Sequence, residues 1–139
     1  MQIAMVGLGR MGANIVRRLM TGGHDCVVYD VNADAVSALA AEGATGATSI
    51  SDLASKLQAP RTVWLMIPAG LTGAVVEQVA AELEPGDIII DGGNSNYRDD
   101  VRRAAKLTDS GIHYVDVGTS GGVFGLERGY CLMVGGHDE

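Results

Sequence analysis

The amino-acid sequence predicts one α/β domain built around a doubly wound, mostly parallel β-sheet. Short apolar runs rich in β-branched residues alternate with longer stretches of helical period, which is the pattern of βαβ units. Hydrophobic residues make up 47% of the chain but aromatic residues only 4%, and 20 glycines stand against 3 prolines. This balance suits a buried parallel sheet with tight glycine turns better than a β-sandwich. The length of 139 residues is that of a single domain.

The strands are predicted where the apolar runs lie, and the run near Ala44 is the weakest. In order, these strands are Gln2–Val6, Cys26–Asp30, Ala44–Ala47, Thr62–Ile67, Asp87–Asp91, Ile112–Asp116 and Cys131–Val134. The helices predicted between them are Met11–Thr21, Ala33–Ala41, Asp52–Leu57, Leu71–Leu83 and Tyr97–Ser110. Strand and helix therefore alternate along most of the chain.

Several elements carry residues that mark their ends. Gly22-Gly23 is predicted to close the first helix, and Pro85-Gly86 to form the turn before the fifth strand. Asn32 and Ser51 are predicted to cap the second and third helices.

The charge pattern argues against two classes of partner. The formal net charge is −7 and the chain contains no basic run, so neither nucleic acid nor an anionic membrane is expected to bind it. The apolar run at the N-terminus is too short for a signal peptide or a membrane span.

Residue types that bind metals are scattered along the chain. Cys26 and Cys131 form no C-x-x-C pair, and His24, His113 and His137 show no spacing for a metal or a catalytic triad. We therefore expect no disulfide scaffold, no metal site and a reducing, cytoplasmic environment.

A glycine motif, Gly7-Leu8-Gly9-Arg10-Met11-Gly12, follows the first predicted strand and opens the first predicted helix. It has the form G-x-G-x-x-G, the fingerprint of a Rossmann-like dinucleotide-binding domain. The first glycine permits the tight turn, the second lets backbone approach a pyrophosphate, and the third lets the helix pack on the strand. The pyrophosphate is expected at the helix N-terminus, where free N–H groups and the dipole favour an anion. The alternative is a glycine-rich turn that matches by chance.

Asp30 ends the second predicted strand, 23 residues after Gly7, where the fingerprint expects an acid that binds the adenosine ribose. Its carboxylate would accept bonds from both ribose hydroxyls and repel a 2′-phosphate. The next residues, Val31-Asn32-Ala33-Asp34, include no Arg or Lys. The sequence therefore favours NAD over NADP as cofactor. The alternative is that Asp30 is a turn or cap residue.

Three further strand ends are rich in small residues, and open α/β sheets bind ligands at such ends. The fourth strand leads into Pro68-Ala69-Gly70, the fifth into Asp91-Gly92-Gly93-Asn94-Ser95-Asn96, and the sixth into Gly118-Thr119-Ser120-Gly121-Gly122. The Asn and Ser donors of the last two suit hydroxyls and a carboxylate.

These polar residues also have structural interpretations. Asn94 is either a ligand contact or part of an Asx-turn or helix cap, and the same choice applies to Ser120-Gly121-Gly122. Glu127 and Arg128 are either an anion clamp or a solvated surface pair.

Four segments resemble the 6-phosphogluconate dehydrogenases, in particular the short bacterial form associated with NAD. They are Gly7–Asn14, Met66–Gly70, Asp91–Tyr97 and Asp116–Gly129. Related β-hydroxyacid dehydrogenases share the glycine fingerprint and the Ser-Gly-Gly loop but do not usually carry the run D-G-G-N-S-N-Y. The resemblance spans the whole chain and implies the cofactor domain of such an enzyme.

The resemblance implies roles for the matching residues. Cofactor contacts are implied for Gly7, Leu8, Gly9, Arg10, Met11, Gly12, Asp30, Pro68, Ala69 and Asn94. Contacts with the substrate, 6-phosphogluconate, are implied for Asn94, Ser120, Gly121 and Gly122. Within these sets, Met11 would lie near the nicotinamide and Asn94 between nicotinamide and substrate. Long-form enzymes have two acidic residues where this chain has Val123-Phe124, so those contacts do not carry over.

The family oxidises 6-phosphogluconate at C3 by hydride transfer and then releases carbon dioxide to give ribulose 5-phosphate. A lysine acts as its base and a glutamate as its acid, both on helices beyond the Ser-Gly-Gly strand. Lys56 and Lys106 stand outside that motif, so the catalytic residues are expected beyond Glu139. We therefore expect a cofactor domain that is inactive alone, followed by an all-helical substrate and dimerisation domain, with a homo-oligomer as the complete enzyme.

Two alternatives remain open. The chain is the cofactor domain of another β-hydroxyacid dehydrogenase, or it is a dinucleotide-binding module without chemistry. A reading frame that continues into a lysine-bearing helical region favours an enzyme, whereas a stop codon after Glu139 favours the module.

Overall fold

The computed structural model describes residues 1–136 and confirms the predicted fold class. His137, Asp138 and Glu139 lie outside the described residues. Within residues 1–136, seven strands form one sheet. They are β1 (Gln2–Val6), β2 (Asp25–Tyr29), β3 (Thr45–Gly46), β4 (Thr62–Leu65), β5 (Ile88–Asp91), β6 (His113–Ser120) and β7 (Cys131–Gly135).

The strand order across the sheet is β3-β2-β1-β4-β5-β6-β7. All pairs are parallel except β6 and β7, which are antiparallel. The chain runs outward from β1 to β3 and returns to the centre with β4, so the order reverses between β1 and β4. A doubly wound sheet binds its ligand in the crevice above this switch point.

Helices cover both faces of the sheet. They are α1 (Arg10–Thr21), α2 (Ala33–Ala41), α3 (Ile50–Ser55), α4 (Ala69–Ala80), α5 (Tyr97–Thr108) and the short α6 (Gly125–Arg128), which follows a 3₁₀ turn at Gly122–Phe124. The helices α3 and α4 begin earlier than the sequence predicted.

Two apolar cores lie on opposite faces because side chains alternate along each strand. On β1, Ala4 and Val6 point into one core, and Ile3 and Met5 into the other. The first core also contains apolar residues of α3, α4 and α5, and the second contains those of α1 and α2. The sheet is therefore buried on both sides, as its run of β-branched residues predicts.

The helix ends agree with the sequence at two positions and differ at a third. Gly22 follows α1 and donates its N–H to Arg18 O at 3.0 Å, and Asn32 caps α2 by accepting the N–H of Asp34 at 3.0 Å. The prediction for Ser51 is wrong, because Ser49 caps α3 and its Oγ accepts the N–H of Asp52 at 3.0 Å. The Ser-x-x-Asp spacing from Ser49 is the signal of a capping box.

The strand β6 is longer than predicted, since it runs to Ser120 and does not end at Asp116. It is extended by its antiparallel pairing with β7, from Asp116 opposite Gly135 to Ser120 opposite Cys131. The 3₁₀ turn and α6 join the two strands, and the sequence pattern did not predict either of them. Within residues 1–136, no helix has the length and apolar character needed to cross a membrane.

Candidate nucleotide-binding site

The carboxyl ends of five neighbouring strands bring the predicted site residues into one row. In sheet order these strands are β2, β1, β4, β5 and β6, and their ends lead to Asp30, Gly7, Pro68, Asn94 and Ser120 respectively. Neighbouring strands lie about 4.8 Å apart. The site residues exposed to solvent are Gly9, Arg10, Pro68, Ala69, Asn94, Ser120 and Gly122. Residues distant in the sequence thus share one accessible edge above the switch point.

Packing requires two glycines of the fingerprint. Gly7 has a φ of +96°, which L side chains rarely adopt, and its N–H donates to Tyr29 O at 3.0 Å. A Cβ added to Gly7 would overlap Met66 O, and a Cβ added to Gly12 would overlap Gly7 O. The start of α1 therefore packs directly on the end of β1, which is the role of the third glycine in the fingerprint.

Replacing Gly12 with alanine is expected to destabilise the fold by about 3 kcal/mol, because the new methyl group overlaps backbone that cannot move freely. Thermal unfolding followed by far-UV circular dichroism should show a melting temperature lower by about 10 °C. Gly135→Ala is the matched control, since a Cβ there meets nothing within 4 Å. An unchanged melting temperature for Gly12→Ala would contradict the close packing of α1 on β1.

Gly9 differs from the other two because nothing lies within 4 Å of the position of an added Cβ. It is the exposed N-cap of α1, with φ −62° and ψ −176°, a backbone conformation open to any residue. The N–H groups of the first helical turn that follow it have no acceptor within the helix. This open space at a helix N-terminus fits the pyrophosphate of a dinucleotide.

Asp30 links the end of β2 to the glycine loop. Its Oδ2 accepts the N–H of Leu8 at 2.7 Å, and its Oδ1 accepts the N–H of Asn32 at 2.8 Å. The second bond is an Asx-turn, so the turn interpretation holds for one oxygen. The first bond is not local, and it fixes the carboxylate beside the fingerprint. Since an ionised carboxylate has about four lone-pair sites, acceptors remain for ribose hydroxyls.

Leu8 and Met11 lie differently from the rest of the motif. The Leu8 side chain is buried, with 6% exposed, so its contact with a dinucleotide would come from its backbone. Met11 is half-buried in the first turn of α1, and Arg10 is exposed beside it.

The segment after β5 presents Asn94 to solvent. The helix-cap alternative for Asn94 is wrong, because Asn96 caps α5 by accepting the N–H of Arg98 at 3.0 Å. The hydroxyl of Ser95 donates inward to Asp91 Oδ2 at 2.7 Å, so its one proton is not available as a donor to a ligand. Asn94 therefore precedes two residues whose side chains bond within the protein.

The Ser-Gly-Gly segment begins at the end of β6 and turns by glycine conformations. Gly121 has a φ of +156° and Gly122 a φ of +49°. A Cβ on Gly121 would come within 2.8 Å of the Tyr130 ring, whereas nothing lies within 4 Å of a Cβ on Gly122. The open side of this turn is thus at Gly122, next to the exposed Ser120.

Arg128, one member of the charged pair of α6, has a structural explanation. The guanidinium of Arg128 lies 5.0 Å from the centre of the Phe124 ring, a cation–π geometry that favours the surface interpretation over an anion clamp. Nowhere in residues 1–136 do three or more His, Cys, Asp or Glu residues form a group that could hold a metal ion.

Carboxylates crowd beneath the Asn94 segment. Burial raises the pKa of Asp100, and the negative charges of Asp91 and Asp116 raise it further. Burial also raises the pKa of Asp116, and so does the charge of Asp91, which is its partner on the neighbouring strand β5. Ionised Asp116 therefore opposes folding at neutral pH.

Asp116→Asn is expected to stabilise the chain at pH 7 by about 0.5–1 kcal/mol, because it removes a partly buried charge beside Asp91. Because the pKa of Asp116 is raised in the folded state, its ionised carboxylate lowers the free energy of unfolding at pH values above that pKa. This destabilisation is lost as the pH falls toward 3.8, the pKa of the carboxyl group in the unfolded chain. Urea unfolding of both proteins should therefore show a difference that shrinks between pH 7 and pH 4. A variant less stable than the parent at pH 7 would contradict this electrostatic interpretation.

Sequence reasoning gave no role to Asp91, Arg103 or Tyr114. Asp91 carried a signal, since it ends an otherwise apolar strand and a buried acid rarely lacks partners. The partners themselves lie on α5 and β6, and nothing local in their segments indicates that they meet Asp91.

Comparison with known proteins finds relatives that match nearly the whole chain. A 6-phosphogluconate dehydrogenase of Haloferax volcanii, described as NAD(+)-dependent and decarboxylating, is 43% identical over 137 residues, which cover 98% of this chain and 45% of that protein. Plasmodium falciparum 6-phosphogluconate dehydrogenase, whose structures include a complex with its cofactor NADP+, superposes with a TM-score of 0.92 at 29% identity. The match covers 99% of this chain and 31% of that one.

The 3-hydroxyisobutyrate dehydrogenase of Mycobacterium tuberculosis superposes with a TM-score of 0.86 at 28% identity, over 99% of this chain and 47% of that one. The chain thus spans less than half the length of each of these relatives. Residues 2–139 match the family model described as the NAD binding domain of 6-phosphogluconate dehydrogenase. This match extends over nearly the whole sequence, and the chain therefore belongs to the NAD-binding domain family of 6-phosphogluconate dehydrogenase.

Proposed function

We propose that this chain is the NAD-binding domain of a decarboxylating 6-phosphogluconate dehydrogenase, in which it holds the cofactor and one side of the substrate. The observation that carries the proposal is the row of strand ends that sets Asp30, Gly9 and Asn94 along one accessible edge. In that order they suit the adenosine ribose, the pyrophosphate and the nicotinamide of one extended dinucleotide.

The preference for NAD rests on Asp30. Its carboxylate is held beside the glycine loop by the N–H groups of Leu8 and Asn32, where a 2′-phosphate would meet a fixed negative charge. The residues that follow, Val31 to Asp34, supply no basic side chain. Because relatives described as NAD(+)-dependent and as NADP(+)-dependent both exist, the local charge at Asp30 is the property that supports the choice.

NAD, when bound, supplies the acceptor for the hydride of the substrate. The residues of this chain would bind and orient: Asn94 between nicotinamide and substrate, and Ser120, Gly121 and Gly122 along the sugar acid. The protons must move through other groups. Lys56 Nζ donates to Asp52 Oδ2 at 2.7 Å and to Gly46 O at 2.8 Å, so its ammonium group is engaged within the protein.

Lys106 is engaged as well, since its Nζ donates to Glu77 Oε1 at 2.6 Å on the exposed surface of α5. The base and acid of the reaction are therefore proposed to come from a helical domain that is joined to this one. A positioned base and acid each contribute roughly 10²–10⁴-fold to a rate, so this chain alone should bind cofactor without turnover.

The test is an assay of the protein that joins this domain to a helical domain, supplied with NAD and either 6-phosphogluconate or 3-hydroxyisobutyrate. We expect NADH and carbon dioxide to form from 6-phosphogluconate. Preferential oxidation of 3-hydroxyisobutyrate would support the second candidate, another β-hydroxyacid dehydrogenase, which the similarity to the Mycobacterium tuberculosis enzyme favours. Turnover by the 139-residue chain alone would contradict the assignment of the base and acid to another domain.

A further inference from the structure

The buried carboxylate of Asp91 holds the segment that carries Asn94 through hydrogen bonds. Asp91 is the last residue of β5 and is 0% exposed. Its Oδ1 accepts the N–H of Gly93 at 2.9 Å, and its Oδ2 accepts the hydroxyl of Ser95 at 2.7 Å. Gly93 and Ser95 are the residues immediately before and after Asn94. The carboxylate therefore fixes the chain on both sides of the exposed amide.

The same segment is packed from below, which leaves it little freedom. A Cβ on Gly92 would overlap the indole Nε1 of Trp64, and a Cβ on Gly93 would approach Ile67 O to 3.0 Å. The backbone of Gly92 and Gly93 thus packs directly against Trp64 of β4 and against Ile67, which follows that strand. Asn94 is the first residue of the segment whose side chain reaches solvent.

A second layer of side chains holds Asp91 itself. The hydroxyl of Tyr114 on β6 lies 3.0 Å from Asp91 Oδ2 and 3.0 Å from Asp100 Oδ1. Arg103 Nη1 donates to Asp100 at 2.9 Å and lies 3.7 Å from Asp91 Oδ2. Burying a carboxylate is costly unless it is paired and hydrogen-bonded. Asp91 is paired in this way, and its shortest contacts, 2.7 Å to Ser95 and 2.9 Å to Gly93, go to the segment that borders the proposed cofactor.

We propose that Asp91 is a positioning residue that holds the side chain of Asn94 at the nicotinamide end of the bound dinucleotide. The inference rests on the proposed function, because it takes the location of the nicotinamide from it. Asp91 acts through Gly93 and Ser95 and touches neither cofactor nor substrate.

The competing explanation is that Asp91 only stabilises the fold. Asp87 provides a matched comparison, because it immediately precedes the same strand and is 1% exposed. Its carboxylate accepts the N–H groups of Arg61 at 2.6 Å and Glu84 at 2.9 Å. Asp87 is therefore an equally buried and equally bonded acid, but it lies at the amino edge of the sheet, away from the site.

The experiment compares two ligands by calorimetry on this chain: NAD, and ADP-ribose, which is NAD without its nicotinamide. The variants are Asp91→Asn, the milder Ser95→Ala, Asn94→Ala and the control Asp87→Asn. We expect Asp91→Asn and Ser95→Ala to weaken NAD binding about tenfold and ADP-ribose binding less than about twofold, and we expect the same pattern for Asn94→Ala. Asp87→Asn should lower the melting temperature and leave the ratio of the two affinities unchanged.

The outcomes separate this inference from the proposed function. If Asn94→Ala changes the ratio but neither Asp91→Asn nor Ser95→Ala does, the positioning role is wrong and the proposed function stands. If Asp91→Asn fails to fold, Ser95→Ala decides by the same criterion. If Asn94→Ala leaves the ratio unchanged, or the parent chain binds neither ligand, the proposed site fails and the inference falls with it.

Discussion

Gly9→Ala is expected to abolish measurable NAD binding while leaving the folded chain intact. The space over Gly9 is open and its backbone conformation is accessible to alanine, so the methyl group costs the fold little. The same methyl group occupies the position where a pyrophosphate must approach the backbone. We expect a loss of at least about 100-fold in affinity, equivalent to ~2.7 kcal/mol, measured by calorimetric titration.

Two other glycines make this result interpretable. Gly135→Ala adds a methyl group to an equally open position on β7, and it should change neither binding nor stability. Gly12→Ala should unfold at a lower temperature, as described above. A Gly9→Ala variant that binds NAD as well as the parent would show that no pyrophosphate lies against this loop.

The parent chain is expected to bind NAD at least about tenfold more tightly than NADP. In Asp30→Ala this ratio of affinities is expected to fall to about threefold or less, because the negative charge that repels the 2′-phosphate is removed. NAD should bind more weakly, since the ribose hydroxyls lose their acceptor. NADP should bind at least as well as it does to the parent. Titration of both nucleotides with the variant and the parent measures the four affinities.

The carboxylate of Asp30 also supports the glycine loop through the N–H of Leu8, so weaker binding of both nucleotides to Asp30→Ala would report damage to this loop and not the loss of repulsion. Asp30→Asn separates the two effects, because it removes the charge and keeps one acceptor oxygen. Asp34→Ala removes an exposed acid in the first turn of α2. It is the control for the effect of removing a nearby negative charge that does not contact the glycine loop. If the ratio of NAD affinity to NADP affinity is unchanged in both Asp30 variants, the adenosine ribose does not bind at Asp30.

The arrangement of the glycine loop and Asp30 was predictable from the sequence because its signals are local. Gly7, Gly9 and Gly12 lie within one turn between a strand and a helix, and Asp30 follows at the spacing that one βαβ unit requires. The strand-to-helix alternation likewise predicted the parallel sheet. Ser49 could also have been predicted as the helix cap, since Asp52, whose N–H it accepts, stands three residues later in a Ser-x-x-Asp pattern.

The rest depends on contacts between distant segments. β6 continues to Ser120 because β7 pairs with it, and no pattern in the sequence of β6 itself predicts this extension. The support of Asn94 depends on Tyr114 and Arg103, which reach Asp91 from other elements. Their residue types are ordinary for a strand and an amphipathic helix, so only the folded arrangement reveals the network.

The most direct test of the central claim is the titration of the unmodified chain with NAD and, separately, with NADP, following the heat of binding. The glycine loop and Asp30 predict that NAD binds, and that it binds at least about tenfold more tightly than NADP, a difference of ~1.4 kcal/mol. Equal or tighter binding of NADP would contradict the role of Asp30. Binding of neither nucleotide to a chain shown to be folded would contradict the claim that these residues form a cofactor site.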